Sequence, residues 1–113
     1  MHEFSLVLNI IDIVTEYAVK ENAKEVKEVE IEVGELSGVV IDAMEFALQT
    51  AVKGTLMEHS AVHIREIKGL AQCHSCLHEF ETDSLFKPCP ECKTCAPDII
   101  RGKELSVKSI VIE

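Results

Sequence analysis

Residues 73–95, CHSCLHEFETDSLFKPCPECKTC, contain all five cysteines of the chain. Two Cys-x-x-Cys pairs, Cys73/Cys76 and Cys89/Cys92, are separated by twelve residues. A two-residue gap lets both sulfurs of a pair point at one centre, and zinc takes soft thiolates in a closed four-coordinate shell. The spacing therefore predicts one zinc ion held by both pairs.

The fifth cysteine leaves the identity of one zinc ligand undecided. Cys95 forms a further Cys-x-x-Cys with Cys92 and is the alternative to Cys89 in the zinc site. The same pair could act as a thiol redox motif, but it lacks the strand-then-helix setting that such chemistry prefers. An odd number of cysteines, with no sequence before them that resembles a signal peptide, argues against disulfides in a secreted domain. We expect reduced thiols and a cytoplasmic protein.

The predicted zinc has a structural role. A closed thiolate site contributes roughly 10–16 kcal/mol in small peptides, as much as the whole stability of an ordinary domain, ~5–15 kcal/mol. The cysteine segment has few large apolar residues and cannot fold by burial alone. Removing zinc is therefore expected to unfold this segment.

Composition limits the classes of partner. The chain has 113 residues and a formal charge of −9, with 11 Lys and Arg against 20 Asp and Glu. Binding to nucleic acid or to an anionic membrane surface depends on clustered cations, so neither is expected. The apolar start FSLVLNIIDIV is interrupted by Asn9 and Asp12 and is too short to span a bilayer.

Two helices are predicted from apolar residues that recur three and four positions apart. The first covers Ser5 to about Lys20, with Ser5 as N-cap, and leaves residues 1–3 outside its amino end. Its apolar stripe consists of Leu8, Ile11, Val14 and Ala18, widened by Val7, Ile10 and Tyr17. The second covers Val40 to about residue 53, and Gly54 is placed to end it.

Three strands are predicted. In the stretch 26–36, valine and isoleucine alternate with glutamate, which is typical of a half-buried strand with a solvated acidic face. Gly34 and Gly38 then bracket a turn, GELSG, where we expect positive φ values. AVHIREI (61–67) and ELSVKSIVIE (104–113) predict the other two strands.

These elements predict an α+β fold, in which a small three-stranded sheet is packed by two helices. A four-cysteine zinc-knuckle domain, similar to a zinc ribbon, is inserted between the second and third strands. The predicted boundaries are 1–69 plus 99–113 for the α/β domain and 70–98 for the zinc-binding domain.

Short motifs along the whole chain resemble those of a known protein family. They are Met1-His2-Glu3 with Ser5, GELSGVV (34–40), Phe46-Ala47, Lys53-Gly54-Thr55, the cysteine pairs and Gly102-Lys103-Glu104-Leu105. Together they closely resemble the HypA/HybF family, whose members are nickel metallochaperones for the maturation of nickel–iron (NiFe) hydrogenase. Each motif alone is weak, but their shared order in a chain of this length is specific.

The resemblance implies two metal sites. Nickel would be bound at Met1, His2 and Glu3, in the α/β domain. Zinc would be bound by the knuckle cysteines, which are Cys73, Cys76, Cys89 and Cys92. The family's second knuckle usually continues with glycine after its last cysteine, whereas Lys93 follows here.

The resemblance also implies the role and the partners. The protein would deliver Ni²⁺ to the hydrogenase large-subunit precursor with a HypB-type GTPase, and would not itself be an enzyme. The sequence leaves open a monomer or a homodimer. The alternative is a zinc-ribbon adaptor that binds protein partners and delivers no metal.

The residues support the nickel site independently. A free amino group, backbone amides and the His2 imidazole can form adjoining chelate rings suited to Ni²⁺ or Cu²⁺. Glu35 and Asp42 either complete this shell or stabilise a turn and a helix start. His74 and His78 flank the first cysteine pair and are expected to lie beside the zinc or to face solvent, and not to bind the ion.

Overall fold

The computed structural model of the protein describes residues 2–94 and 97–113, with side chains from residue 4 onward. Within these residues the elements are α1 His2–Lys20, β1 Val26–Gly34, α2 Ile41–Ala51, β2 Ala61–Ile67, β3 Leu70–Gln72, β4 Glu79–Glu81, β5 Asp98–Arg101 and β6 Leu105–Ile112. The strands form two three-stranded sheets, ordered β2-β1-β6 and β4-β3-β5. The α+β class, the two helices and the first sheet are confirmed, while the domain boundaries stay a prediction.

Helix α1 begins at His2, so the predicted start at Ser5 is wrong, and so is the prediction that His2 and Glu3 lie outside the helix. Met1 lies outside the described residues. Residues 2–4 include no proline or glycine that would stop the helix, and an acidic residue in the first turn interacts favourably with the helix dipole. The helix therefore extends three residues further than the capping preference of serine suggests.

The buried face of α1 agrees with most of the predicted apolar face. Leu8 and Tyr17, both predicted to lie on this face, are each 44% exposed, whereas Val7 is fully buried as predicted. Val7 lies one helical turn before Ile11, and these two share a face with Val14 and Ala18, which are buried as predicted.

The chain divides into two compact units, of which the first comprises Met1–Ile31, Val40–Arg65 and Ser106–Glu113. Its core is aliphatic. Besides the α1 residues, the buried side chains of this unit are Val26, Val29, Ile31, Met44, Ala47, Leu48 and Met57. The alternating burial of β1 is thus confirmed, and so is the burial of Met44 and Leu48 on the predicted apolar stripe of α2.

The glutamates of β1 form a solvated face, as predicted. Glu28 lies 3.1 Å from His63 of β2, and Glu30 lies 3.9 Å from Arg65 of the same strand. Exposed pairs of this kind contribute only ~0–1 kcal/mol each. The glutamate row therefore adds little to the stability of the sheet.

The second unit comprises Glu32–Val39 and Glu66–Leu105. Its central strand β3 pairs antiparallel with β4 and β5. Its buried cluster consists of Ala71, Cys73, Phe80 and Cys89, against which Ile99 packs. The sequence did not predict this sheet, because strands of three or four residues are too short to show an alternation.

The GELSG turn belongs to this second unit and holds it together at one end. Its hydrogen bonds, which we call the turn clamp, are Gly34 N to Glu104 O at 2.6 Å, Glu35 N to Ile67 O at 2.8 Å, Leu36 N to Gly102 O at 2.6 Å, and Gly69 N to a Glu35 carboxylate oxygen at 2.9 Å. The turn clamp therefore fixes both segments through which the chain enters β3 and leaves β5.

Gly34 is needed for a close backbone approach. The expectation of a positive φ holds for Gly38, at +82°, but not for Gly34. A Cβ atom at Gly34 would instead collide with the carbonyl group of Gly102. Only glycine therefore lets the turn come this close to the segment after β5.

Replacement of Glu35 tests the turn clamp. Glu35→Ala removes the acceptor of the Gly69 N–H, and we expect the free energy of unfolding to fall by about 1–2 kcal/mol. Glu35→Gln keeps an oxygen acceptor and should lose less than half as much. Chemical denaturation of both variants beside the parent protein measures the difference. No loss in Glu35→Ala, or an equal loss in both, would contradict this role.

Candidate metal centre

The two cysteine pairs lie in loops of the same backbone design. In the first, Leu77 N donates to Cys73 O at 2.9 Å and Cys73 N donates to His78 O at 2.9 Å. In the second, the equivalent bonds join Lys93 N to Cys89 O at 2.8 Å and Cys89 N to Thr94 O at 3.0 Å. Each loop therefore turns back on its first cysteine and presents both sulfurs on one side.

The residue after the second cysteine of each pair adopts a left-handed conformation. Leu77 has φ of 64° and Lys93 has φ of 61°. This conformation costs roughly 1–2 kcal/mol for a residue other than glycine. Lys93 thus takes the backbone conformation that glycine usually supplies at this point, so its presence does not disturb the second knuckle.

The four sulfurs gather in one cluster. The Sγ atoms of Cys73, Cys76, Cys89 and Cys92 all lie within 4.8 Å of one another. Two of the separations are 3.3 Å, from Cys73 to Cys92, and 3.6 Å, from Cys76 to Cys89. A tetrahedral shell with Zn–S bonds of about 2.3 Å has sulfur–sulfur edges of about 3.8 Å. The cluster therefore has the dimensions of a four-thiolate zinc site.

Over the described ranges 2–94 and 97–113, this is the one group of three or more His, Cys, Asp or Glu side chains close enough to hold a metal ion. The fifth cysteine, Cys95, lies outside them.

Hydrogen-bond donors stabilise two of the thiolates. The backbone N–H groups of Cys76 and Ser75 lie 3.5 and 3.4 Å from Cys73 Sγ. The Cys76 N–H is the main cause that lowers the pKa of Cys73 to about 6. The hydroxyl and N–H groups of Thr94 lower the pKa of Cys92. Both shifts favour the thiolate, which is the form that binds metal.

Crowding opposes ionisation of the whole cluster. The N–H of His78 lowers the pKa of Cys76, but partial desolvation and the three neighbouring sulfurs outweigh it and raise this pKa to about 12. Four thiolates at these distances repel one another unless a cation lies between them. The donor set therefore fits a divalent ion with an affinity for thiolates.

One cysteine of each pair is buried and the other is exposed. Cys73 and Cys89 belong to the buried cluster, whereas Cys76 and Cys92 face the surface. His78 stacks on Phe80 with ring centroids 6.2 Å apart, and neither flanking histidine joins the sulfur cluster. The sulfur site thus lies at the edge of the small core.

The predicted nickel residues are only partly described. His2 and Glu3 form the start of α1, but their side chains and Met1 lie outside the described part, so the nickel ligands stay a prediction. Glu35 accepts the Gly69 N–H, and Asp42 lies exposed in the first turn of α2. None of the helices in the described part of the chain combines the length and apolarity that crossing a membrane requires.

The fold and the sulfur cluster define a small α+β metal-binding protein. Over residues 1–112 the sequence matches the profile of the family described as "Hydrogenase/urease nickel incorporation, metallochaperone, hypA". The chain belongs to the HypA family of nickel metallochaperones, which act in hydrogenase maturation.

Individual relatives match this chain along nearly its whole length. The chain is 44% identical to the hydrogenase maturation factor HypA of Parabacteroides distasonis, with 100% of this chain and 98% of the relative covered. It is 38% identical to the HypA protein of Francisella philomiragia, with 98% of each covered. The solution structure of the Ni metallochaperone HypA from Helicobacter pylori aligns with a TM-score of 0.69 at 25% identity, covering 97% of this chain and 96% of that one.

The left-handed backbone conformation of Leu77 and Lys93 can be tested without replacing a cysteine. Leu77 is 66% exposed, so its side chain contributes little packing. We expect Leu77→Gly to be about 1 kcal/mol more stable than Leu77→Ala, because only glycine relieves the strain. Denaturant unfolding of the two zinc-loaded variants provides the comparison, and Lys93→Gly against Lys93→Ala repeats it in the second loop. If glycine is no better than alanine at either position, the strain is absent.

Proposed function

We propose that this protein carries Ni²⁺ at its amino terminus and delivers it to the large-subunit precursor of a nickel–iron hydrogenase. Met1, His2 and Glu3 bind the nickel, and Cys73, Cys76, Cys89 and Cys92 bind a structural zinc ion. The observation that carries the proposal is the family match over residues 1–112. A protein of this kind transfers a metal without itself catalysing a reaction.

The dimensions and the surroundings of the sulfur cluster support zinc as the structural ion. The buried cluster of the second unit consists of four residues, and two of them are cysteines of the site. So small a core cannot offset the chain entropy of ordering the unit. A zinc–thiolate site, worth roughly 10–16 kcal/mol in small peptides, supplies the missing stability. Zinc has no redox chemistry, so it crosslinks the two loops and leaves the thiolates intact.

The start of α1 at His2 supports nickel binding by the backbone. The first four N–H groups of a helix have no acceptor within it. The amide nitrogens of His2 and Glu3 can therefore bind a metal without breaking a helical hydrogen bond. Since the amino end of a helix repels cations, deprotonated amides and the Glu3 carboxylate are needed to compensate the charge of Ni²⁺.

Delivery requires that the cargo be released. A site of about micromolar affinity, ~8 kcal/mol, can transfer its ion to a partner more readily than a buried cage can. Because Cu²⁺ binds most such sites more tightly than Ni²⁺, selectivity must come from geometry, metal supply and partner docking. We propose a HypB-type GTPase as the partner in this step. The reduced cysteines suit transfer in the cytoplasm.

Serine replacements decide between the two candidates for the fourth zinc ligand. Cys89 is buried and its sulfur belongs to the cluster. We therefore expect Cys89→Ser to lose zinc or to bind it far more weakly, whereas Cys95→Ser keeps one zinc per chain. Metal analysis after dialysis against a chelator measures both. Zinc loss in Cys95→Ser alone would assign the fourth ligand to Cys95.

Calorimetric titration of zinc-loaded, untagged protein tests the nickel site. We expect one Ni²⁺ per chain at about micromolar affinity, lost in His2→Ala while zinc stays bound. His74→Ala is the matched control, because it removes an exposed histidine beside the cysteines and should leave nickel binding unchanged. Equal binding in His2→Ala and the parent would move the cargo site elsewhere. No binding in any of the three would favour the alternative of an adaptor that delivers no metal.

A further inference from the structure

A groove of about 490 Å³ lies in the first unit. α2, β2 and the turn between them line it. Its apolar lining residues are Leu48, Val52, Met57, Val62 and Ile64. Its polar lining residues are Glu45, Gln49, Glu58 and Ser60. Met57 is fully buried, so the groove has an apolar base. We call it the β2 groove.

One wall of the β2 groove is the edge of a sheet. In the order β2-β1-β6, no strand of the described residues pairs with the outer side of β2. Val62 and Ile64 line the groove, while His63 and Arg65 pair with glutamates of β1 on the opposite face. β2 runs for seven residues without proline, and its one arginine, Arg65, pairs with Glu30 on the face away from the groove. A strand added here would place every second side chain over the groove.

The charge of the groove selects its occupant. Glu45 and Glu58 are exposed, and none of the lining residues is a lysine or an arginine. Among the described residues, the ion pair of Glu58 is with the exposed His59, at 3.9 Å. A second copy of this chain, with its formal charge of −9, would be repelled. The occupant must therefore combine aliphatic side chains with positive charge.

We propose that the β2 groove binds an extended segment of a partner protein, which pairs with the free edge of β2. Every second side chain of the segment faces the groove. These side chains are aliphatic in the middle of the segment, and a lysine or arginine flanks them at each end. The aliphatic side chains fill the apolar base, and the cations reach Glu45 and Glu58. This docking surface depends on neither the nickel nor the zinc ligands.

The probe is the blocked peptide Ac-KTVTVTK-NH2, which places two valines flanked by two lysines on one face of a strand as long as β2. We expect saturable NMR shifts in α2 and β2 of the zinc-loaded full chain. Glu45→Lys combined with Glu58→Lys should weaken binding by about tenfold or more. The same variant should bind Ac-ETVTVTE-NH2 better than the parent protein does. Glu16→Lys combined with Glu21→Lys changes the net charge equally at exposed positions outside the groove, and should leave peptide affinity unchanged.

Backbone methylation of the peptide tests the strand pairing itself. A peptide with alternate N-methyl groups keeps the side chains but loses donors to the β2 edge, and we expect it not to bind. Equal binding of the methylated peptide, or of a helical peptide with the same charges and valines, would overturn strand addition. The absence of saturable shifts with the unmodified peptide would overturn the docking site.

Discussion

In the second unit four cysteine sulfurs lie so close together that their thiolates repel one another. The fold of the unit depends on one cation that relieves this repulsion. Its two loops bring the sulfurs of Cys73, Cys76, Cys89 and Cys92 within 4.8 Å of one another. Hydrogen bonds favour the thiolates of Cys73 and Cys92. Partial desolvation and the three neighbouring sulfurs nevertheless raise the pKa of Cys76 to about 12. Only a bound cation lets all four sulfurs ionise together. We therefore expect metal binding and folding to be one process in this unit.

The turn clamp extends this dependence beyond the cysteine segment. The turn follows β1 directly in the chain, yet it belongs to the unit that contains the sulfur cluster. Its bonds hold the segments before β3 and after β5, and Gly34 lies too close to Gly102 for any side chain. Glu35 in this turn accepts a hydrogen bond from the N–H of Gly69. The residues of the turn that resemble the family motif thus have a structural reason in this chain.

The parts of the structure set by local patterns could be predicted from the sequence, and those set by tertiary packing could not. The cysteine spacing predicted the cluster because two short loops leave little choice of geometry. The alternation in β1 predicted its buried face, whereas the three- and four-residue strands carry no such signal. The residue types of Leu77 and Lys93 do not by themselves predict a left-handed conformation, since neither is glycine. The apolar period of α1 predicted most of its buried face but wrongly included Leu8 and Tyr17, because apolar residues on both sides of the stripe fit the same helical period.

X-ray absorption of the protein loaded with both metals tests the central claim most directly, because each edge reports on the ligands of one metal. The account predicts four sulfur neighbours at about 2.3 Å around zinc and only nitrogen or oxygen neighbours around nickel. Sulfur in the nickel shell, or fewer than four sulfurs around zinc, would contradict a structural four-thiolate zinc site that is separate from an amino-terminal cargo site.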